Sequence, residues 1–432
     1  MDNMKPLNPI QKTVVGVQFL FVAFGATVLV PLLVGLDPST ALFTAGIGTL
    51  IFHLVTKGKV PIFLGSSFAF VAPIIKATEL YGLPGTMSGL VAVGTVYGLM
   101  SLLVRWRGIG FIKRLFPPVV IGPVIILIGL SLAGSGVNMA KENWPLALVA
   151  LLSAILASML GRGMLRLIPI FCGIIVGYLT ASLFGLIDFK PVIEAPWFAF
   201  PQFVKPSLSW EAVIFMIPVT IAPVIEHIGD VYAINEVTGK DFVKDPGLHR
   251  TLIGDGLATS LSALVGGPAN TTYGENTGVL ELSKVHDPKV IRIAALYAVI
   301  LSFIPKMAEV IGSMPSAIIG GVSFMLYGMI SAIGVRNVVE NHVDFTKSRN
   351  LIIAGVIFVC GLGFSNGLTF TVAGTDITLT SLAIAAIAGI LLNAILPGND
   401  YHFGKDVEAD SNRGIDMMPN LHEDTSYGDH EE

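Results

Sequence analysis

Two acids sit one helical turn apart in an otherwise apolar stretch: Glu226 and Asp230, in IAPVIEHIGDVYAIN at residues 221–235. A charge at the centre of a membrane helix costs roughly 2.5–3.5 kcal/mol on insertion scales, so an ionisable group there is a functional candidate by default. The i, i+4 spacing puts both carboxylates on one helix face, where they repel and where one shared proton relieves the repulsion. A third acid, Glu275, lies in GGPANTTYGENTGVLELSK at residues 266–284, polar and glycine-rich with apolar runs on both sides. Non-helical backbone at membrane depth is tolerated only where it lines a cavity or is buried in protein. We therefore read this stretch as a substrate site. Glu275 would contact substrate, cap a half-helix starting near Asn276, or do both. Tyr273 and Gly274 just before Glu275 are further candidates for substrate contact, the Gly274 amide being able to face a ligand with no side chain in the way.

A second irregular segment, VPIFLGSSFAFVAP at residues 60–73, has β-favouring residues around Ser67 and Phe68, with Gly65 allowing close approach. The Phe68 ring could stack on a flat ligand or simply pack. Other polar groups carry blander readings. His227 points about 100° away from Glu226 and reads as packing or as a hydrogen-bonded bystander. Asp255 and His53 read as residues at the inner ends of their spans. Cys172 and Cys360 lie far apart in apolar runs and read as buried small side chains, neither a disulfide nor a metal pair. The chain has no H-E-x-x-H or G-x-S-x-G motif and no long basic run, which argues against an enzyme and against nucleic-acid binding.

These groups must be held by helices in a bilayer. Of the 432 residues, 53% are hydrophobic and 13% charged, with a net charge of −4. Soluble domains carry about 25% charged residues. The mean hydropathy is +0.76. Apolar runs recur between short polar connectors and divide into about fourteen spans, which makes this an all-α polytopic membrane protein. A helix needs about 20 residues to cross the hydrocarbon core. The third span (62–76) and the tenth (269–283) are shorter and interrupted by Gly or Pro. Paired short segments in matching places of two halves point to a binding site between inverted repeats, here seven spans each. The expectation is two short extended, β-like segments, each leading into a half-helix. With the N-terminus inside, this topology puts 21 of the 26 Lys and Arg on the cytoplasmic side, as the positive-inside rule asks. Both termini are then cytoplasmic. No cleavable signal is read at the N-terminus, and residues 397–432 read as a disordered acidic tail.

FGATVLVP at 24–31, GKVPIFLGSSFAF at 58–70, DPGLHR at 245–250, NTTYGENTGV at 270–279 and GGVSFMLYG at 320–328 carry a resemblance. In order and spacing they resemble the nucleobase/ascorbate transporter family (nucleobase:cation symporter-2), close to its bacterial uracil-permease branch. The resemblance implies a core domain (1–110 and 207–313) moving against a gate domain (111–206 and 314–396). It implies import of uracil or a related nucleobase by proton symport across the bacterial cytoplasmic membrane, in a lipid-embedded homodimer with no cofactor beyond the coupling proton. A purine or xanthine permease, an anion transporter of the same fold and a sodium-coupled symporter are the nearest alternatives. By matching position, Glu226 and Glu275 would hold the base, Phe68 and Gly274 would offer backbone amides, and Ser67, Asn276 and Gln18 would support them. The sequence departs from the family pattern at two places. Gln18 is followed by Phe19 where the branch commonly has histidine, and Asp230 stands where a histidine linked to proton coupling is common.

Overall fold

A computed structural model describes residues 9–398, with 163, 275, 365, 366, 373 and 374 outside the described set. Glu275 and the acidic tail beyond residue 398 therefore lie outside the described residues. Among those described, six helices are long and apolar enough to cross a membrane: Gln11–Val34, Pro38–Val55, Phe68–Arg107, Pro118–Ala140, Trp210–Thr238 and Ser316–Glu340. The pair Pro288–Ser302 and Pro305–Gly312, bent by 83°, makes a seventh if it is one span. Trp144–Leu160, Pro169–Leu183, Ser348–Gly363 and Ser381–Ile395 are apolar but shorter. The protein is thus a mostly helical, multi-pass membrane protein, and the count of about fourteen spans remains an expectation.

Local chemistry sets where these helices begin and break. The helix α1 runs Pro9–Val34 and α2 runs Pro38–Val55. Asp37 caps α2, its carboxylate accepting from the Ser39 and Thr40 amides at 3.1 and 3.0 Å, with Pro38 in the first turn. After α2 the chain extends into β1 (Leu64–Ser66), then takes a 3₁₀ turn (Phe68–Phe70) into α3 (Val71–Arg107). The sequence places two spans over α3, and Gly82 at φ 69 is the break between them. The helix α4 is Pro118–Ala140. The eighth span runs through Trp210–Val219 and α5 (Ile221–Thr238), joined at Thr220, whose backbone stays helical at φ −60 and ψ −21; α5 ends on left-handed Gly239. Then come α6 (Leu248–Leu264), β2 (Asn270–Thr272), the short α7 (Asn276–Ser283) and, further on, α8 (Ser316–Glu340).

The two predicted extended segments form one antiparallel ribbon, with Leu64 opposite Thr272, Gly65 opposite Thr271 and Ser66 opposite Asn270. Backbone bonds from Ser67 N–H to Ala269 O (2.8 Å) and from Tyr273 N–H to Phe63 O (3.2 Å) extend it at both ends. Two-stranded ribbons leave outer backbone groups unpaired, which is costly away from water. Here hydroxyls from neighbouring helices meet them. Thr49 of α2 accepts from Leu64 N–H at 2.9 Å; Thr259 and Ser262 of α6 donate to Asn270 O at 2.6 Å and Pro268 O at 2.5 Å. His53 Nε2 lies 3.0 Å from Ile62 O. His53 is buried, 2% exposed, so the interfacial reading of this residue is corrected: it holds the chain entering β1.

The helices α1, α2, α5 and α6 pack on this ribbon, with α3 behind α6, Trp210–Val219 against α3, and Pro288–Ser302 against α1 and α2; α4 and α8 pack extensively on each other and gather Trp144–Leu160, Pro169–Leu183 and Ser348–Gly363. The pairing of α4 with α8 explains their glycines. A Cβ on Gly122 or Gly129 would run into the α8 backbone or side chains, and one on Gly320 into Ala140 of α4. These small residues let α4 and α8 approach each other closely. A second ribbon, β3 (Leu368–Val372) with β4 (Thr375–Leu379), leans on Trp210–Val219. Cys172 and Cys360 are free and half-buried.

Candidate functional site

The antiparallel ribbon decides where the half-helices start. They leave it from opposite ends: the 3₁₀ turn into α3 follows Ser66, and α7 follows Thr272 and Gly274. Each therefore directs its N-terminus, with unsatisfied N–H groups and the positive end of its dipole, towards the ribbon. Ser67 occupies the cap position before Phe68 without using its hydroxyl as a cap. At the other end Asn276 N–H and Thr277 N–H bond Tyr273 O and Gly274 O at 3.2 and 3.0 Å.

Around this crossing the predicted residues take distinct places. Asp230 is 7% exposed and lies against the end of β2: its Oδ2 accepts from Thr272 Oγ1 at 2.8 Å. Gly274 makes room for it, since a Cβ there would stand 2.7 Å from Asp230 Oδ1. Glu226 is half-buried one turn earlier on α5. Tyr273 is buried and faces the ribbon. Its hydroxyl donates to Ser66 O at 3.0 Å and receives Thr27 Oγ1 of α1 at 3.3 Å, while its ring covers Gly65, where a Cβ would come within 2.5 Å. The side chain of Tyr273 is thus a clamp between β1, β2 and α1. Phe68 is 5% exposed and meets Tyr327 of α8 edge to face, centroids 6.1 Å apart. Ser67 and Asn276 are buried, and the Ser67 hydroxyl and both polar atoms of the Asn276 amide make no hydrogen bond among the described residues. Leaving such a group unmet costs about 1–3 kcal/mol, so each is a place for a polar ligand or water. Gln18 is half-buried on α1 beside the fully buried Phe19, and no described contact ties it to the crossing.

Two residues given bland readings prove central. His227 and Asp255 are both 0% exposed, with Nδ1 3.1 Å from Oδ2. Neither Asp255 oxygen takes an aligned hydrogen bond among the described residues. His227 Nε2 is 3.0 Å from Thr251 Oγ1, and Tyr97 of α3 sets its ring edge to face with the imidazole. The interfacial reading of Asp255 is therefore corrected. Thr272 joins this pair to the site, with Oγ1 3.5 Å from His227 Nδ1 as well as bonded to Asp230. A continuous polar run, Asp230–Thr272–His227–Asp255, thus crosses from α5 through β2 to α6. The sequence signal for it was a histidine directly after Glu226 and a lone acid inside a span.

Two half-helices crossing through a buried ribbon, flanked by buried acids inside a polytopic helical bundle, define a membrane transporter rather than an enzyme. Solved structures share the fold: murine Solute Carrier 26 family member A9, an anion transporter, at a TM-score of 0.64 over 91% of this chain and 69% of that one, 12% identical. The transmembrane domain of the cyanobacterial bicarbonate transporter BicA matches at 0.58 over 78% of this chain and 97% of that one, 14% identical. Sequence is more specific. Residues 10–370 match the Xan_ur_permease model of the permease family. The uracil permease of Bacillus caldolyticus is 46% identical over 396 residues, covering 88% of this chain and 91% of that protein. The probable uracil permease of Pasteurella multocida is 45% identical over 399 residues (90% and 94%), and the uracil permease of Escherichia coli K12 is 38% identical over 399 (90% and 92%). The chain belongs to this permease family, the nucleobase/ascorbate (nucleobase:cation symporter-2) transporters.

Proposed function

We propose that this protein imports uracil across the bacterial cytoplasmic membrane by proton symport, both termini cytoplasmic, working as a homodimer. The carrying observation is the ribbon crossing with Asp230, Thr272 and Gly274 in contact at its end, in a chain 38–46% identical to uracil permeases. Uracil is flat and uncharged, with two ring N–H donors and two carbonyl acceptors. Carboxylates of Glu226 and Glu275 accept from the N–H groups, while the half-helix amides near Phe68 and Gly274 donate to the carbonyls. The Asn276 amide and Ser67 hydroxyl, which have no hydrogen-bond partner among the described residues, lie in the same crossing and support a polar ligand. Uracil has about eight non-hydrogen atoms, which sets a ceiling near −12 kcal/mol, whereas micromolar binding takes about −8. Most of the ligand must therefore be contacted, in an occluded site.

Coupling follows from linkage: if protonation of one acid favours uracil binding, uracil favours that protonation by the same factor. Asp230 is the acid we assign this role, because its carboxylate is buried and already tied to Thr272. The group of helices around the ribbon would move as the core against a gate built on α4 and α8. Anion transport on this fold is the less favoured reading, since the negative charges of Glu226 and Asp230 oppose an anion at the crossing. Uptake of labelled uracil by a strain lacking its own uracil uptake tests the proposal, with xanthine and bicarbonate as competitors and a proton uncoupler in sodium-free buffer. Uracil alone should compete, and the uncoupler should abolish accumulation. Competition by xanthine but not uracil overturns the substrate, and uncoupler-resistant, sodium-dependent uptake overturns the coupling ion.

A further inference from the structure

Away from the crossing, one corner of the molecule gathers positive charge over an apolar floor. No acid occurs between Glu79 and Glu142, while Arg105, Arg107, Lys113 and Arg114 fall within ten residues. The segment is the last turn of α3, which Gly108 ends at φ 78, followed by the short helix Ile109–Leu115. An open cleft of about 530 Å³ is lined there by Leu102, Leu103, Arg105 and Trp106. Leu102 is 62% and Trp106 73% exposed, and Arg105 and Arg107 are exposed beside them. The Arg107 guanidinium sits 4.6 Å from the centroid of the Trp106 ring. A second element adds charge: the fields of Arg250 and Arg105 both reach the His249 ring at the start of α6, whose carbonyl accepts from Ser101 Oγ of α3 at 2.6 Å.

We propose that this corner binds an anionic phospholipid of the cytoplasmic leaflet, its phosphate on Arg105 and Arg107 and an acyl chain along Leu102 and Trp106. Guanidinium groups match phosphate geometry, and tryptophan favours the headgroup level. Basic clusters just beyond a membrane helix attract anionic lipid. A free phosphate would satisfy the arginines and leave the leucine and tryptophan floor uncovered, so charge and apolar surface together select the lipid. The segment joins α3 to α4, so a bound lipid would hold this connection at the membrane surface.

The test is tryptophan quenching of the intact protein in vesicles carrying brominated phosphatidylglycerol or brominated phosphatidylcholine at equal mole fraction. Subtraction of the Trp106→Phe variant isolates the Trp106 signal from the other tryptophans. Phosphatidylglycerol should be preferred at Trp106, and R105Q/R107Q should lower that preference roughly 5-fold per arginine, about 25-fold together. Both positions are on the surface, and unchanged thermal melting of R105Q/R107Q confirms that it is folded. Equal quenching by the two lipids overturns the proposal, as does loss of the preference on adding millimolar inorganic phosphate, which would mark a free-anion site.

Discussion

Gly274→Ala is the sharpest perturbation of the proposed site. The new methyl would stand 2.7 Å from Asp230 Oδ1, against 3.4 Å at the near edge of ordinary contact. The carboxylate must therefore retreat by roughly 0.7 Å or turn aside. Its other oxygen now accepts from Thr272 at 2.8 Å. A retreat of that size carries the contact to about 3.5 Å, at the outer limit of a hydrogen bond, where most of its strength is gone. Losing a hydrogen bond to a charged group costs about 1.5–3 kcal/mol. If that loss falls on the coupled state, proton-driven accumulation should drop about 10- to 150-fold. The assay is labelled-uracil uptake into proteoliposomes with and without an imposed proton gradient, at matched amounts of folded protein. Thr272→Val removes the same hydrogen bond without adding bulk, so it should give a similar loss, and the double variant should be little worse than either single. Wild-type accumulation by Gly274→Ala would refute the reasoning. So would an inactive Gly274→Ala beside a normal Thr272→Val, which would assign the glycine to ligand access instead of to Asp230.

Three further outcomes are expected. In the buried His227–Asp255 pair, His227→Gln or Asp255→Asn alone should destabilise by about 3–5 kcal/mol, and the double variant by less than the sum; thermal melting of purified protein checks this, and additive losses would deny the coupling. Tyr273→Phe removes the bond to Ser66 O (3.0 Å) and should cost about 1 kcal/mol of stability, read as a lower melting temperature with uracil affinity falling no further than stability does. Gly321→Val would drive a side chain into the Ala147 backbone, so it should reduce the yield of folded protein rather than slow the transport of what does fold.

Much of the site was legible in the residues because membrane burial makes polar groups expensive and therefore conspicuous. Glu226, Asp230 and the polar 266–284 stretch stand out against apolar sequence. The two extended segments were legible too, from their short length, glycines and β-favouring residues. His53 and Asp255 were misplaced for the converse reason. Position along a span says how far a residue is from a helix end, but not which neighbouring helix covers it. Likewise the glycines of α4 and α8 announced close packing without naming the partner.

By itself, then, the sequence determined the solvent and the chemistry. Low charge and recurrent apolar runs demand a bilayer, and the rare acids within those runs stand out as the candidate groups for ligand binding and proton transfer. Only the tertiary structure decided how these groups meet. Strand pairing joins backbone groups some 206 residues apart, Ser66 with Asn270 at one end and Leu64 with Thr272 at the other. Nothing in a local pattern encodes that register. Hydroxyls of Thr49 and Thr259 from two other helices meet the ribbon's outer backbone groups, and Ser262 meets the carbonyl of Pro268 just before it. The same packing turns Thr272 into the link between Asp230 and the His227–Asp255 pair, a relation among three separate elements that exists only once the chain is folded.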